Sequence, residues 1–184
     1  MIVHRCFAWS ARAQPGEPDG PVWVPRVFQG DGRHDNPDVY GCLYLADGEV
    51  SAVVEQLARF RTQRLQAALL RRRGLPLALA TLALDDTAEI VDLDDPRVLA
   101  RERLRPSAVA TRRRQMTQPQ ARALHARHPR AAALRWWSAF EASWANYTVF
   151  DRAVSALSVV GLRELTLEGD SVTAAAEFLG MRIH

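Results

Sequence analysis

The sequence predicts an α+β fold in a single domain, on three observations. Its 184 residues are 48% apolar and 24% charged, which is typical of a globular domain that can bury a core. Apolar runs of strand length and segments with helical apolar spacing follow each other without regular alternation, which argues against a doubly wound sheet. No run approaches the ~18 consecutive apolar residues that a membrane-spanning helix needs, so we expect no membrane segment.

The first half of the chain predicts three strands and one long helix. Strands are expected in three places: residues 2–9, 22–28 and 41–45. Asp47 or Gly48 should then begin the longest helix of the protein, which Gly74 and Pro76 end. This helix is predicted from apolar residues at spacings close to three and four: Val50, Val53, Val54, Leu57, Phe60, Leu65, Leu69 and Leu70.

The second half predicts further short elements around a poorly organised stretch at 106–129. Strands are expected over residues 77–84, 90–93, 134–137, 147–150 and 163–167. Helices are expected to begin at Asp95-Pro96, at Thr117 or Gln118, and at Asp170 or Ser171. The second of these should run to His125 and the third to Phe178, with Gly180 ending it.

Charge and cysteine content narrow the class of protein. The net charge is +3, and all 24 Lys and Arg positions are Arg, a bias typical of a GC-rich genome. The Arg runs 71–73 and 112–114 could contact phosphates, but such runs are more often solvated faces, so direct nucleic-acid binding is not expected. Cys6 and Cys42 are too few for a disulfide framework, and the N-terminus does not resemble a signal peptide. We therefore expect a cytoplasmic protein.

No standard catalytic motif identifies the chemistry. The sequence has no phosphate-binding loop, dinucleotide fingerprint, zinc-protease helix or nucleophile elbow. His125 and His128 would share a helix face, but nothing nearby supplies further metal ligands. We therefore expect no metal site.

Four residues in the first half occur in an order typical of a known family. Arg5 lies at the centre of the first strand, and Arg33 follows a Gly-rich turn. Tyr44 lies on the third predicted strand, and Glu55 lies on the helix after it. This order resembles the front half of the RES domain, a family named after an Arg, a Glu and a Ser. The chain departs from the family at His34-Asp35-Asn36, where Trp-Asn is usual.

The family serine is identified from a segment in the second half. The family pattern is approximately Asp-Gly-Leu-x-Tyr-x-Ser, followed by a strand with Leu-Phe-x-x-Arg. Residues 132–138, Ala-Ala-Leu-Arg-Trp-Trp-Ser, have this shape, and Val149-Phe150-Asp151-Arg152 follow them. Ser138 is therefore the predicted family serine, with Ser143 and Thr148 as alternatives.

The resemblance implies a fold, an activity and partners. RES proteins resemble ADP-ribosyltransferases, which implies a mixed, mostly antiparallel β core with helices around it, in one domain over residues 1–184. The resemblance covers residues 1–60 and 130–184, and the middle, about 61–129, is longer than in a minimal RES domain. Members are toxins that degrade NAD by hydrolysis or phosphorolysis, usually encoded beside a helix-turn-helix antitoxin of the Xre type. NAD would be the substrate, and a homo-oligomer is kept as an alternative to a monomer.

The residue types suit cleavage of the bond between nicotinamide and ribose. This cleavage develops positive charge on the ribose, which a fixed carboxylate such as Glu55 would stabilise. Arg5 and Arg33 would bind the pyrophosphate through their planar guanidinium groups. Tyr44 would stack on the nicotinamide ring, and Ser138 would orient the amide or a ribose hydroxyl rather than act as a nucleophile.

Other interpretations remain open at this level. Arg5 could form an internal salt bridge, with Glu55 as one candidate partner, and Glu55 could be an ordinary exposed helix residue. A RES-like module without activity could act through protein contacts alone. Transfer of ADP-ribose to a macromolecule would use the same residues.

Overall fold

The computed structural model describes residues 1–183, which form an α+β fold with mostly antiparallel strand pairing, as predicted. The strands are β1 Ile2–Ala8, β2 Cys42–Ala46, β3 Arg71–Arg72, β4 Leu75–Leu84, β5 Ile90–Asp92, β6 Ala133–Trp137, β7 Ala145–Phe150 and β8 Leu157–Glu164. The helices are α1 Glu49–Leu57, α2 Pro96–Glu102, α3 Pro106–Ala110, α4 Arg114–Arg127 and α5 Asp170–Phe178. The chain divides into two compact units.

The first unit is built on a long antiparallel strand pair. Its parts are Met1–Trp23, Leu45–Ala83 and the residues from Ser158 onward. Strands β1 and β4 pair from Ile2 opposite Ala83 to Ala8 opposite Leu77. Strands β3 and β8 also pair with β4, which therefore lies in the interior of the sheet. The near-continuous apolar sequence of β4 suits that position.

Helices α1 and α5 pack against each other in the first unit. Val53 and Leu57 of α1 are fully buried because they recur on one face of the helix. Val172 and Ala175 of α5 are fully buried for the same reason. Gly180 follows α5 with a φ of +67°, a left-handed conformation that glycine adopts at low cost and that ends the helix as predicted.

The second unit consists of Val24–Tyr44 and Leu84–Leu157. In it β6 pairs antiparallel with β7 and parallel with β5, and β2 pairs with β7. Its buried core draws on the strands and on α2, α3 and α4. The core residues are Tyr40, Cys42, Val91, Leu93, Leu99, Val109, Ala121, Leu124, Ala131, Leu134, Trp136 and Phe150.

Most predicted elements are confirmed to within two residues of each boundary that the sequence predicted, which for α2 is its start alone. They are β1, β2, β4, β5, β6, β7, α2 and α5. The start of α2 shows why sequence predicts it well. The Asp95 side chain accepts a hydrogen bond from the Arg97 backbone N–H at 2.8 Å, and Pro96 occupies the first turn.

The long helix predicted to run up to Gly74 is wrong, because α1 ends at Leu57. The chain beyond it forms short 3-10 segments at Ala58–Phe60 and Ala67–Leu70. Leu65 is fully buried, but its N–H donates to the carbonyl of Arg182 at 2.8 Å instead of continuing a helix. Tertiary contacts of this loop therefore outweigh the helical spacing of its apolar residues.

Two predicted strands differ from the structure. Residues 22–25 end a turn and continue as irregular chain, and Arg26–Phe28 form a 3-10 segment, because Pro21 and Pro25 cannot donate to a strand ladder. The strand predicted over 163–167 lies earlier in the chain, at β8.

The middle of the chain is more regular than the sequence predicts. Helix α4 begins at Arg114, before the expected start at Thr117 or Gln118, and contains Pro119. With 14 residues it is the longest helix in the described part of the chain. Across residues 1–183, every helix is too short or too polar to cross a membrane.

We predict that Leu65→Ala lowers the free energy of unfolding by about 2–5 kcal/mol, because it leaves a cavity at a fully buried position. Urea denaturation measures this change. Val27→Ala is the matched control, since Val27 is 82% exposed and its truncation should cost less than ~0.5 kcal/mol. Equal losses in the two variants would contradict the buried position of Leu65.

Candidate functional site

A carboxylate organises the loop over residues 30–36, which we call the Gly30–Asn36 loop. Asp35 Oδ2 accepts hydrogen bonds from the backbone N–H of Gly30 at 2.8 Å and of Gly32 at 2.6 Å. Its other oxygen, Oδ1, accepts from the Tyr44 hydroxyl at 2.6 Å. The Asp35 side chain therefore closes the loop by bonding to two of its backbone groups, and it also connects the loop to strand β2.

The backbone of His34 continues this network. Its N–H donates to the Tyr44 hydroxyl oxygen at 2.9 Å, so that hydroxyl both accepts and donates. Its carbonyl accepts from the Tyr40 hydroxyl at 2.6 Å and from the Asn36 side-chain amide at 3.2 Å. These bonds satisfy buried backbone groups of the loop, which would otherwise destabilise it.

The His34 ring is buried in the same unit. Its Nδ1 lies 2.8 Å from Thr148 Oγ1, and that oxygen also accepts from Trp136 Nε1 at 3.1 Å. Burial, together with the neighbouring Arg33 charge, lowers the pKa of His34 to about 3. The imidazole is therefore neutral at physiological pH and serves as a hydrogen-bonding group.

Arg33 is held by backbone carbonyls and an aromatic ring. Its Nη1 donates to the carbonyls of Val109 and Thr111, each at 2.6 Å. Its guanidinium carbon lies 4.4 Å from the ring centroid of Trp136, within range of a cation–π interaction. These contacts give the guanidinium a defined orientation, as recognition of an anion requires.

Tyr44 presents a fixed ring from strand β2. Burial, then the neighbouring Cys42 and Asp35, raise the pKa of Tyr44 well above its ordinary value, so the phenol stays protonated. The hydroxyl is anchored by Asp35 and His34, while the side chain as a whole is only partly buried. This arrangement suits a ring that offers a face to a ligand.

Ser138 directly follows β6 and is 2% exposed. Its N–H donates to the Trp144 carbonyl at 2.9 Å, and its hydroxyl oxygen accepts from the Phe140 N–H at 3.2 Å. The two alternative candidates for the family serine have different surroundings. Ser143 donates to Glu141 in an exposed turn, and Thr148 bonds to the His34 and Trp136 side chains. The choice of Ser138 stays a prediction.

Arg5 and Glu55 lie in the first unit. Arg5 is 7% exposed, and its Nη1 donates to the carbonyls of Pro21 at 2.6 Å and Gly20 at 3.3 Å. Its guanidinium carbon lies 4.8 Å from the Phe7 ring centroid. Glu55 is partly exposed on α1. Arg5 thus fixes the turn that follows β1, a role the sequence did not predict.

The structure connects two of the predicted residues through one loop: Arg33 belongs to the Gly30–Asn36 loop, and the Tyr44 hydroxyl bonds to His34 and Asp35 of that loop. Sequence reasoning missed Asp35, whose carboxylate makes that connection, and the pairing of His34 with Thr148. A usable sign was the Gly-rich turn closed by an aspartate, because such side chains commonly bond to nearby backbone N–H groups. The sequence offered Thr148 only as an alternative to Ser138, and no pattern indicated its bond to His34.

Comparison with known proteins identifies the family. The model of the RES domain matches residues 6–168, a range that includes the middle segment 61–129. The chain belongs to the RES domain family. A chain in the crystal structure of the M. tuberculosis MbcT–MbcA toxin–antitoxin complex has the same fold, with a TM-score of 0.63 and 18% sequence identity over 98% of this chain and 88% of that one. The search of curated proteins found no match.

We predict that Gly32→Ala destabilises the loop by about 1–3 kcal/mol, the usual cost of overpacking. A Cβ at Gly32 would lie 2.5 Å from both Asp35 Oδ1 and the Tyr44 hydroxyl, closer than real contacts allow. Gly16→Ala is the matched control, because a Cβ there meets nothing within 4 Å. Denaturant unfolding of both variants measures the difference, and equal stabilities would contradict the loop geometry.

We predict a pH dependence that arises from His34. Its pKa of about 3 in the folded chain lies below the unfolded value of ~6.5, so the unfolded state binds the proton first as the pH falls. This contribution to stability is complete above about pH 6.5 and is lost progressively as the pH falls toward about 3. Unfolding free energies at several pH values should therefore fall less steeply for His34→Asn than for the wild type. Parallel pH profiles would contradict the prediction.

Proposed function

We propose that this RES domain protein degrades NAD by cleaving the bond between nicotinamide and ribose, with water or phosphate as the acceptor. Family membership supports the choice of NAD. The observation that carries the proposal is the loop that contains Arg33, which Asp35 and His34 bond to the Tyr44 hydroxyl. A loop fixed in this way holds its ligand-binding groups in place before substrate arrives.

Glu55 is proposed as the residue that stabilises the transition state. When the glycosidic bond breaks, its electron pair leaves with the nicotinamide nitrogen, and positive charge develops on the ribose. The Glu55 carboxylate opposes that charge and hydrogen-bonds a ribose hydroxyl. Water or phosphate oxygen then bonds to the anomeric carbon, giving ADP-ribose or its 1-phosphate, and a proton is released when water is the acceptor.

The remaining residues are proposed to bind and orient NAD. Arg33, oriented by Trp136 and two carbonyls, binds the pyrophosphate. Arg5 is proposed to bind an anionic group of NAD while it holds the turn at Gly20 and Pro21. The Tyr44 ring stacks on nicotinamide. Ser138 orients the carboxamide or a ribose hydroxyl, without acting as a nucleophile.

A toxin role with a protein antitoxin extends this proposal. The similar fold of a chain in a toxin–antitoxin complex supports it, together with membership of the RES family. The resemblance described above suggests an antitoxin of the Xre helix-turn-helix type. Growth arrest on expression of the wild-type chain, relieved when the antitoxin is produced with it, tests this role.

We predict that the purified protein releases nicotinamide from NAD and that Glu55→Gln lowers kcat by ~100-fold or more, because one electrostatic group at a developing charge contributes about that much. Chromatography of the products with and without phosphate separates phosphorolysis from hydrolysis. Glu49→Gln is the matched control on the same helix, and it should keep wild-type turnover because Glu49 pairs with the exposed Arg163.

The same assay separates the competing functions. Label from the ADP-ribose part of NAD that remains covalently attached to protein would indicate transfer to a macromolecule. Absence of turnover with both acceptors would favour a binding module. Full activity in Glu55→Gln would remove Glu55 from the mechanism.

A further inference from the structure

The three arginines of the second run have different surroundings in the structure. Arg114 forms an ion pair with Asp31, with Nη1 3.1 Å from Oδ1. The side chain of Arg113 is exposed. Arg112 lies over an aromatic ring, with its guanidinium carbon 4.4 Å from the ring centroid of Phe140. The run is therefore more than a uniform solvated face, because the ring contact orients the guanidinium of Arg112.

The hydrogen-bond donors of Arg112 remain available to a ligand. Its side chain is exposed, and in the described part of the chain no carboxylate or carbonyl accepts from its guanidinium. A guanidinium that stacks on a ring keeps the N–H groups at its edge for other partners. Glu141, the acidic residue next to Phe140 in the sequence, instead accepts from the Ser143 N–H and hydroxyl, each at 3.0 Å. Arg112 is therefore an oriented cation whose charge is not neutralised by these neighbours.

Arg112 directly follows the residue that helps to hold Arg33. The Nη1 atom of Arg33 donates to the carbonyls of Val109 and Thr111, each at 2.6 Å. These bonds occupy the two N–H groups of Nη1, so the proposed contact of Arg33 with an anion has to use its other donors. One short segment therefore orients Arg33 through its carbonyls and adds a second guanidinium through Arg112.

The ring in contact with Arg112 is linked to the predicted family serine. The Phe140 N–H donates to the Ser138 hydroxyl oxygen at 3.2 Å. Two residues before Ser138 is Trp136, whose ring centroid lies 4.4 Å from the guanidinium carbon of Arg33. The end of β6 and the turn after it therefore supply one ring for each guanidinium, and Ser138 lies between the two rings in the sequence.

We propose that Arg112 is a second pyrophosphate-binding residue of the candidate site. This inference depends on the proposed function, since it takes NAD as the ligand. Each phosphoryl group of the pyrophosphate carries negative charge, and a guanidinium can bind such a group through two parallel N–H bonds. Arg33 binds one phosphoryl group and Arg112 binds the other. The pyrophosphate is unchanged when the nicotinamide bond breaks, so this contact lowers KM and leaves kcat unchanged.

Arg112→Ala is expected to raise KM for NAD by about 10-fold, the usual effect of losing one hydrogen bond to a charged group. Its kcat should stay within about two-fold of the wild-type value. Arg113→Ala is the matched control, because it removes a neighbouring exposed charge without a ring contact, and it should keep the wild-type KM. Nicotinamide riboside has the same scissile bond but no phosphate, so its kcat/KM should be the same in Arg112→Ala and the wild type. Equal losses with both substrates would overturn the proposal.

The contact with Phe140 is tested by a double-mutant cycle. Phe140→Leu removes the ring but keeps the backbone N–H that donates to Ser138. It should raise KM for NAD by about 2- to 5-fold, the value of an exposed cation–π contact. In the Arg112→Ala background the same change should add nothing, because the ring acts through Arg112. Additive effects would overturn the positioning role of Phe140. Thermal unfolding checks that each variant is folded.

Calorimetric titration with ADP-ribose separates this inference from the proposed cleavage of NAD. ADP-ribose contains the pyrophosphate but no nicotinamide bond, so its Kd does not depend on turnover. A Kd that is about 10-fold weaker in Arg112→Ala, and unchanged in Arg113→Ala, would support the pyrophosphate contact whether or not NAD is cleaved. Cleavage of NAD with an unchanged KM and Kd in Arg112→Ala would overturn the role of Arg112 and leave the proposed function in place. A folded wild type that does not bind ADP-ribose would also overturn it.

Discussion

The Asp35 carboxylate is the interaction on which the candidate site in the second unit depends. It accepts two backbone N–H groups of its own loop and the Tyr44 hydroxyl. The turn is tight enough that only glycine fits at position 32. Once the loop is closed, the Gln118 side-chain amide can donate to the carbonyls of Gly30 and Gly32, each at 2.9 Å. Asp35 therefore fixes the backbone of the loop that carries Arg33, while the carbonyls of Val109 and Thr111 and the ring of Trp136 orient the guanidinium.

His34 adds a second constraint because it places polar groups within an apolar core. Its ring lies edge-to-face against the Trp136 ring, with centroids 5.3 Å apart. Thr148 Oγ1 hydrogen-bonds to both the His34 and the Trp136 side chains. Buried polar groups destabilise a fold unless they are hydrogen-bonded. The neutral imidazole avoids the larger cost of burying a charge, which is why its pKa is depressed. The network therefore couples the loop to β6 and β7.

The sequence predicted most strands and the helices α2 and α5, because those elements depend on local signals such as the Asp95 cap before α2 and Gly180 after α5. The side-chain cap expected for α5 at Asp170 or Ser171 is absent, since the helix begins after Gly169 without one. The helix prediction failed beyond Leu57. Leu65 is fully buried and fits the apolar spacing of a helix, but its N–H bonds to the carbonyl of the distant Arg182. The residues of the candidate site likewise fall into some that the sequence could indicate and some that it could not. Arg33 and Tyr44 could be chosen from pattern and chemistry. The contact between His34 and Thr148 joins residues more than a hundred positions apart, and no single sequence shows such pairings.

Each unit orients one of the two predicted site arginines through the same kinds of contact. In the first, Arg5 donates to two backbone carbonyls and lies over the ring of Phe7. In the second, Arg33 does the same with two other carbonyls and Trp136. In both units the carbonyl oxygens fix the plane of the guanidinium and the aromatic ring covers one of its faces, so each arginine stabilises the part of the fold around it.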